Sequence, residues 1–249
     1  MRPSEAGQRF IERARRICLE YQDALLEMHE LDSGQQGLLR LGYSPTMPEE
    51  AILDACRRLI RERPKAQLRL VKRFALELLD SLLAGELDLL LAPLPETGMD
   101  GTDGRRLFDD RLLVVADAEH PLLQRRQLKL ADICSAQWLL PGPRFSIRQY
   151  VERAFRLQGL PLPQARVEVD FGTPTLFQLI AGTRILCIAT EETLQSRMLE
   201  GMRVLDLAPG QLDLRREVGL IVRSGAYLSP VAERMIEILR GRLGQATPP

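Results

Sequence analysis

The chain has 249 residues, of which 45% are hydrophobic and 27% are charged, and its 34 basic residues balance 34 acidic ones. These values are typical of a folded globular protein, and they exclude wholesale disorder and a polycation that holds nucleic acid by its overall charge. No apolar run approaches the ~20 residues of a membrane span, and the polar amino terminus is unlike a signal peptide. The four cysteines are scattered, which is typical of reduced thiols, so we expect a cytoplasmic protein without a membrane partner.

Residues 1–33 carry an unbroken apolar pattern with alternating spacings of four and three. Such spacing predicts a helix whose seam packs lengthwise against another helix. We therefore expect a dimerisation helix in front of a separate globular body. The seam residues are Phe10, Ala14, Ile17, Tyr21, Ala24, Met28 and Leu31.

Charge is distributed unevenly along this helix. Residues 1–16 carry a net charge of +3 and residues 17–32 a net charge of −5, which is the reverse of what the helix dipole favours. Two copies lying antiparallel would place each basic half beside the other's acidic half, so an antiparallel pair is favoured. The alternative is a surface helix folded onto its own domain, because apolar stripes also face cores.

Residues 38–116 alternate strands and helices, which predicts a parallel sheet built by right-handed crossovers. Strands are expected at 38–43, 67–72, 87–92 and 111–116, the last after a loop at 95–104. Thr46 and Glu49 fit a capping box for the first helix, and Gly85 is the expected end of the second. The residues expected to face inward are Ile52, Cys56, Leu59 and Ile60 in the first helix, and Leu78, Leu79, Leu82 and Leu83 in the second.

After a turn at His120 and Pro121 the pattern starts afresh. Strands are predicted at 138–141, 166–170, 185–188, 204–207 and 218–222, and helices at 146–159, 175–181, 191–198 and 229–243. We infer two α/β subdomains, 38–116 with 217–244 and 117–216. Ligands of open α/β sheets bind outside the carboxyl ends of the strands, which places a ligand cleft between the subdomains.

Several short motifs resemble LysR-type transcriptional regulators, in that family's order. Residues 3–17 resemble the end of its winged helix-turn-helix and its linker helix. The motifs that look like its effector-binding domain are Gly37-x-Leu39-Arg40-Leu41-Gly42, Leu82-x-x-Gly85-Glu86-Leu87-Asp88, His120-Pro121-Leu122 and Ala181-Gly182. Each is weak alone, but their order and spacing are specific, and the resemblance covers nearly the whole chain.

The resemblance implies an N-terminal linker helix followed by a periplasmic-binding-protein-like (type 2) pair of α/β subdomains, with a small-molecule effector in the cleft and no cofactor. It also implies a homodimer through the linker helices, and tetramers are common in the family. The family's DNA-reading helices should lie before Pro3, so this chain is not expected to read DNA by itself. An excised fragment, a misplaced start and a natural truncation all fit.

The candidate effector-binding residues are hydroxyls and an arginine at strand ends and helix starts, where backbone N–H groups also favour anions. An arginine in such a loop would grip a carboxylate with its bidentate fork. Helix capping is the alternative role for the threonines. The candidates are Ser44, Thr46, Arg144, Ser146, Thr173 and Thr190.

Two departures from the family pattern concern the ligand. Phe74 and Ala75 stand where the family usually has small polar residues, which favours a partly apolar or aromatic effector. Arg184 and Ala189 replace the glycine and proline of the usual G-x-G-I-x-x-x-P run, and Arg184 is expected to point to solvent.

Catalysis has little support, because His29 and His120 are far apart in the predicted fold and no catalytic or metal-spaced motif is present. The alternatives are a solute-binding protein of the same fold, disfavoured by the seam helix, and a small α/β enzyme, disfavoured by the missing constellations. A chain with the pairing helix but no DNA-reading head could also form mixed dimers with an intact relative.

Overall fold

The computed structural model describes residues 4–33, 37–95, 98–143, 145–169, 174–195, 201–212 and 214–244. The helices are α1 (Glu5–Ser33), α2 (Glu49–Glu62), α3 (Ala75–Leu83), α4 (Ser146–Leu157), α5 (Glu191–Gln195) and α6 (Pro230–Leu243). The strands are β1 (Leu38–Tyr43), β2 (Gln67–Lys72), β3 (Leu89–Pro93), β4 (Thr102–Asp117), β5 (Gln137–Pro141), β6 (Gln164–Val169), β7 (Ile185–Thr190), β8 (Met202–Val204) and β9 (Leu214–Arg223). The mixed α/β class is therefore confirmed.

The chain divides into two compact units. Unit 1 comprises Met1–Phe108 with Glu217–Pro249, and unit 2 comprises Asp109–Arg216. Both boundaries fall inside strands, β4 and β9. The first lies earlier than the boundary near Asp117 inferred from the sequence, because β4 is one continuous strand that begins at Thr102.

Unit 1 is a sheet with the order β2-β1-β3-β9, in which β1 pairs in parallel with β2 and β3, and β3 pairs antiparallel with β9. Alternate residues of β3 enter different cores, as the period of two in a strand requires. Leu89 and Leu91 pack in the core formed with α2 and α6, whereas Leu90 and Ala92 pack with α3. Helices thus cover both faces of the sheet.

Helix α1 has two distinct faces. One contacts the rest of unit 1, where Asp23 forms an ion pair with Arg223 and Leu19 lies so close to Gly85 that a Cβ there would overlap with its Cδ2 atom. The predicted seam lies on other positions, and its large members Phe10, Ile17, Tyr21 and Met28 are exposed. The side chain of Leu31 lies outside the described residues.

Unit 2 repeats the scheme with β5 between β6 and β7 in parallel, and with β4 antiparallel to both β7 and β8. Trp138 and Leu140 of β5 pack with Val151 and Phe155 of α4, and Leu139 enters a second core on the opposite face. Unit 2 also contains a buried ion pair between Asp110 of β4 and Arg216 of β9, with N–O distances of 2.5 and 2.8 Å.

Several sequence-based details were wrong. Ile60 and Leu83 were expected inside but are 51% and 37% exposed. The segment predicted as a helix at 175–181 is a 3₁₀ helix, Pro174–Ile180. The strand expected at 204–207 is β8, which ends at Val204, and the loop expected at 95–104 ends where β4 begins.

Candidate functional site

Two hydroxyl side chains follow β1 directly in unit 1. Ser44 is buried, and its backbone N–H donates to the carbonyl of Leu91 on β3 at 3.1 Å. Its carbonyl accepts from the backbone N–H of Met47 at 3.0 Å, and its Oγ lies 3.3 Å from Oγ1 of Thr46. The strand pairing and this tight turn therefore hold both hydroxyls together at the carboxyl end of the parallel strands, where the sequence placed them.

The predicted capping box between Thr46 and Glu49 is wrong. Helix α2 begins at Glu49 with Pro48 as its N-cap residue, so Thr46 lies before the helix. The Glu49 carboxylate accepts hydrogen bonds from the Tyr43 hydroxyl at 2.9 Å and from Lys72 Nζ at 2.8 Å. Because Tyr43 and Lys72 are the paired last residues of β1 and β2, Glu49 ties the start of α2 to the ends of both strands.

The hydrogen bonds among Tyr43, Glu49 and Lys72 shift the pKa values of Glu49 and Tyr43. Burial alone would raise the pKa of Glu49, but the hydrogen bonds from Lys72 and Tyr43 outweigh it and leave the pKa below its ordinary value. The pKa of Tyr43 is raised by burial and by its hydrogen bond to Glu49. Lys72 Nζ also lies 5.9 Å from the centre of the Tyr43 ring, a distance at which a cation is attracted to an aromatic face. Tyr43 therefore stays a neutral donor, and Lys72 places a cation at the ends of these strands.

The sequence analysis missed Tyr43 and Lys72 as members of this region. Their signal was available in principle, because each is the last residue of a predicted strand and the two strands pair in register. A polar residue at the carboxyl end of a parallel strand is a site candidate even when it matches no motif.

In unit 2, Ser146 is the exposed first residue of α4, after Phe145 at the N-cap position. Arg148, one turn into the helix, donates to Glu152 at 2.5 Å, and Glu152 also accepts from Arg156 at 2.8 Å. Arg144 lies outside the described residues.

Thr190 is buried at the end of β7, and its Oγ1 accepts from the backbone N–H of Thr193 at 3.1 Å. It therefore caps α5, which is the alternative role that the sequence analysis gave it. Thr173 lies outside the described residues.

The side chains of His120, Cys56 and Cys187 are buried. The Nδ1 atom of buried His120 accepts from the backbone N–H of Leu122 at 3.2 Å, and burial lowers the pKa of its imidazole. Burial raises the pKa of the thiols of Cys56 and Cys187 to about 11 and about 12. Over the described ranges, no group of three His, Cys, Asp or Glu side chains could hold a metal ion. No helix in the described part of the chain is long and apolar enough to cross a membrane.

Comparison with known proteins identifies the domain. The family model of the LysR substrate binding domain matches residues 32–244. The chain belongs to the LysR family. Residues 32–244 are thus the effector-binding domain of a LysR-type protein.

The similar LysR-type proteins are transcriptional regulators. A "probable hydrogen peroxide-inducible genes activator" from Streptomyces viridosporus is 31% identical over 95% of this chain and 75% of its own length. The regulator YybE from Bacillus subtilis is 25% identical over 92% of this chain and 76% of its own length.

Solved structures share the LysR effector-domain fold. The regulatory domain of CcmR from Synechocystis, in complex with 2-PG, has a TM-score of 0.74 at 19% identity, covering 85% of this chain and 99% of that one. The effector-binding domain of QuiR in complex with shikimate has a TM-score of 0.71 at 15% identity, covering 85% and 99%. The periplasmic-binding-protein-like (type 2) fold expected from the sequence is therefore confirmed.

Proposed function

We propose that this chain is the effector-sensing and oligomerising portion of a cytoplasmic, non-enzymatic LysR-type transcriptional regulator. DNA contact is assigned to the winged helix-turn-helix of the family. The observation that carries the proposal is the family domain over residues 32–244, joined to a helix with an exposed apolar seam. The regulatory relatives support it.

For the effector we propose a small organic anion, with or without an aromatic ring, at the carboxyl ends of the strands. Ser44 and Thr46 would donate hydrogen bonds in unit 1, and Arg144 would pair with a carboxylate in unit 2. Ser146, Thr173 and Thr190 are the further hydroxyl candidates. The related domains solved in complex with 2-PG and with shikimate support a small-molecule effector.

A thermal-shift screen of the purified chain against aromatic acids, other organic acids and neutral aromatics tests this assignment. A ligand that binds only the folded state raises the midpoint, and the stabilisation grows with the logarithm of the ligand concentration over its Kd. We expect a shift with one class of acid that is lost in Ser44→Ala and in Arg144→Ala. Ser81→Ala is the matched control, because Ser81 lies on α3 and its hydroxyl donates to Glu86, just after that helix. A shift that survives both site variants would contradict the assignment.

For assembly we propose a homodimer in which the α1 helices pair antiparallel. The seam side chains Phe10, Ile17, Tyr21 and Met28 are between 61% and 71% exposed, and a row of large apolar side chains on one helix face marks an interaction surface. The opposite face is already occupied by the contacts of Leu19 and Asp23 with unit 1. A second copy therefore has access to the seam.

Light scattering on size-exclusion fractions tests the pairing. We expect Ile17→Asp with Tyr21→Asp to convert the dimer to a monomer, whereas Gln22→Asp, an acid at an exposed position off the seam, leaves it a dimer. Reversal of charge at Arg13 and Glu27 tests the direction, because antiparallel helices bring the basic half of each beside the acidic half of the other. Each single reversal should weaken the dimer and the double reversal should restore it; additive weakening would contradict the antiparallel arrangement.

A further inference from the structure

A groove of about 430 Å³ lies between α2 and α6 on unit 1. Its base contains the buried side chains of Ala55 and Ile238, and Gly241 leaves one wall open. A Cβ atom at Gly241 would meet nothing within 4 Å. The lining residues are Asp54, Ala55, Arg57, Arg58, Arg61, Ile238, Gly241 and Arg242.

Positive charge in this groove exceeds the negative charge available to it. Asp54 accepts from Arg242 at 2.8 Å and also from Arg57, so two guanidinium groups share one carboxylate. Arg58 pairs with Glu62 at 2.8 Å, but Glu62 is also bound by Arg234 at 2.6 Å. Within the described residues, no ion pair is found for Arg61. Four lining arginines therefore face a single lining carboxylate.

We propose that this groove binds a compact anion that carries at least two phosphate groups. Guanidinium groups bind phosphate oxygens through two parallel hydrogen bonds and remain charged at all physiological pH values. Several convergent guanidinium groups favour a ligand with several charges over a monocarboxylate, because each added charge is attracted by all of them. The groove size limits the ligand to a small molecule.

The groove is separate from the effector residues proposed above. Its α2 residues lie between Asp54 and Arg61, whereas Ser44 and Thr46 precede the start of the same helix at Glu49. The hydroxyls of Ser44 and Thr46 do not line the groove. The groove ligand and the effector are therefore assigned to different places on unit 1. Failure of one assignment leaves the other standing.

Isothermal titration calorimetry of the full chain with inorganic pyrophosphate tests the proposal. We expect saturable binding that is at least tenfold weaker in the double variant Arg57→Ala/Arg61→Ala. The matched control is Arg125→Ala/Arg126→Ala, which removes the same charge from exposed arginines of unit 2 and should leave the affinity within twofold.

Gly241→Phe tests the groove without altering charge. The added ring would occupy the open wall, and a Cβ is accommodated at that position, so the variant should fold and lose pyrophosphate binding at least tenfold. Succinate, a dicarboxylate, should bind at least tenfold more weakly than pyrophosphate. The proposal is overturned by no saturable binding, by equal loss in the unit 2 control, by retained binding in Gly241→Phe, or by succinate binding as tightly.

Discussion

Asp23 of α1 and Arg223 at the end of β9 are 200 residues apart in the sequence, yet their side chains form a 2.7 Å ion pair. The two side chains are only 19% and 15% exposed, so the pair is shielded from solvent far better than a typical surface salt bridge. It fixes the acidic half of α1 on unit 1 and so determines which face of the helix remains exposed.

Reversing either charge of this pair should loosen α1. We expect Asp23→Arg or Arg223→Asp to lower the free energy of unfolding by about 1–3 kcal/mol, since each leaves a half-buried charge beside a like charge. The double exchange should recover part of that loss. Urea unfolding of the four proteins measures it, and a loss in the double variant equal to the sum of the two single losses would show that the pair contributes nothing.

Gly85→Ala should detach the same helix by another route. Gly85 has a φ of +74°, which costs about 1–2 kcal/mol for a residue with a Cβ, and the new methyl would also overlap with Leu19. Combining it with Leu19→Ala removes the overlap and leaves only the backbone strain. Gly85→Ala should therefore strongly accelerate hydrogen exchange in α1 relative to the wild type. The same substitution made in the Leu19→Ala background should accelerate exchange less, relative to Leu19→Ala alone. Unchanged α1 exchange in Gly85→Ala would contradict this contact.

Removing one partner of the buried Asp110–Arg216 pair should be costly. Burial raises the pKa of Asp110 even though the Arg216 guanidinium opposes this rise. Asp110→Ala removes the carboxylate that neutralises the buried Arg216 guanidinium and should lower the free energy of unfolding by about 3–5 kcal/mol. Asp110→Ala with Arg216→Met should recover most of the loss, because the double variant removes both charges of the pair. Thermal unfolding distinguishes the two variants, and equal destabilisation would disprove the role of the Arg216 charge.

Acid should weaken the contact between α2 and α6 through Glu62. Hydrogen bonds from Arg234 and Arg58 lower the pKa of this carboxyl from 4.5 to about 2. A lowered pKa in the folded state contributes stability that is complete above about pH 4.5 and is lost as the pH falls towards 2. The slope of unfolding free energy against pH should be smaller in Glu62→Gln over this window, but unchanged in Glu50→Gln on the same helix. Equal slopes in the wild type and Glu62→Gln would refute the assignment.

Cysteine reactivity should follow burial. Because the thiol pKa values of Cys56 and Cys187 are raised to about 11 and about 12, almost no thiolate exists at neutral pH. Iodoacetamide should label exposed Cys18 first and reach Cys56 and Cys187 only after unfolding in guanidinium. Labelling of Cys187 at the rate of Cys18 in the native protein would instead indicate a reactive thiol.

The elements set by local sequence were predictable. The apolar run at residues 38–43 predicted β1 correctly, because a strand pattern acts within a few residues. The helix predicted at 229–243 is α6, and Ser229 caps it by accepting from the backbone N–H of Ala232 at 3.1 Å. These features require no knowledge of the tertiary structure.

The errors have tertiary causes. Glu49 matched a local capping pattern, but Tyr43 and Lys72 from two strands bind its carboxylate instead. Ile60 matched the helical period but faces outward, since only Ile52, Ala55, Cys56 and Leu59 of α2 are buried. At the candidate site, the sequence predicted that Ser44 and Thr46 follow β1, but it could not show that Thr190 accepts a hydrogen bond from the N–H of Thr193. Such choices depend on partners that are distant in sequence or on exact side-chain geometry.

The two unit boundaries determine which unit is completed first during synthesis of the chain. Unit 2 is one continuous segment, Asp109–Arg216, whereas unit 1 needs Glu217–Pro249 as well as Met1–Phe108. During translation, unit 2 therefore has its full sequence before unit 1 does. Until α6 emerges, the apolar faces of β1 and α2 lack Met235 and Leu239, which complete their core. The apolar faces of β1 and α2 in nascent unit 1 therefore remain exposed while unit 2, a later segment of the chain, can already fold.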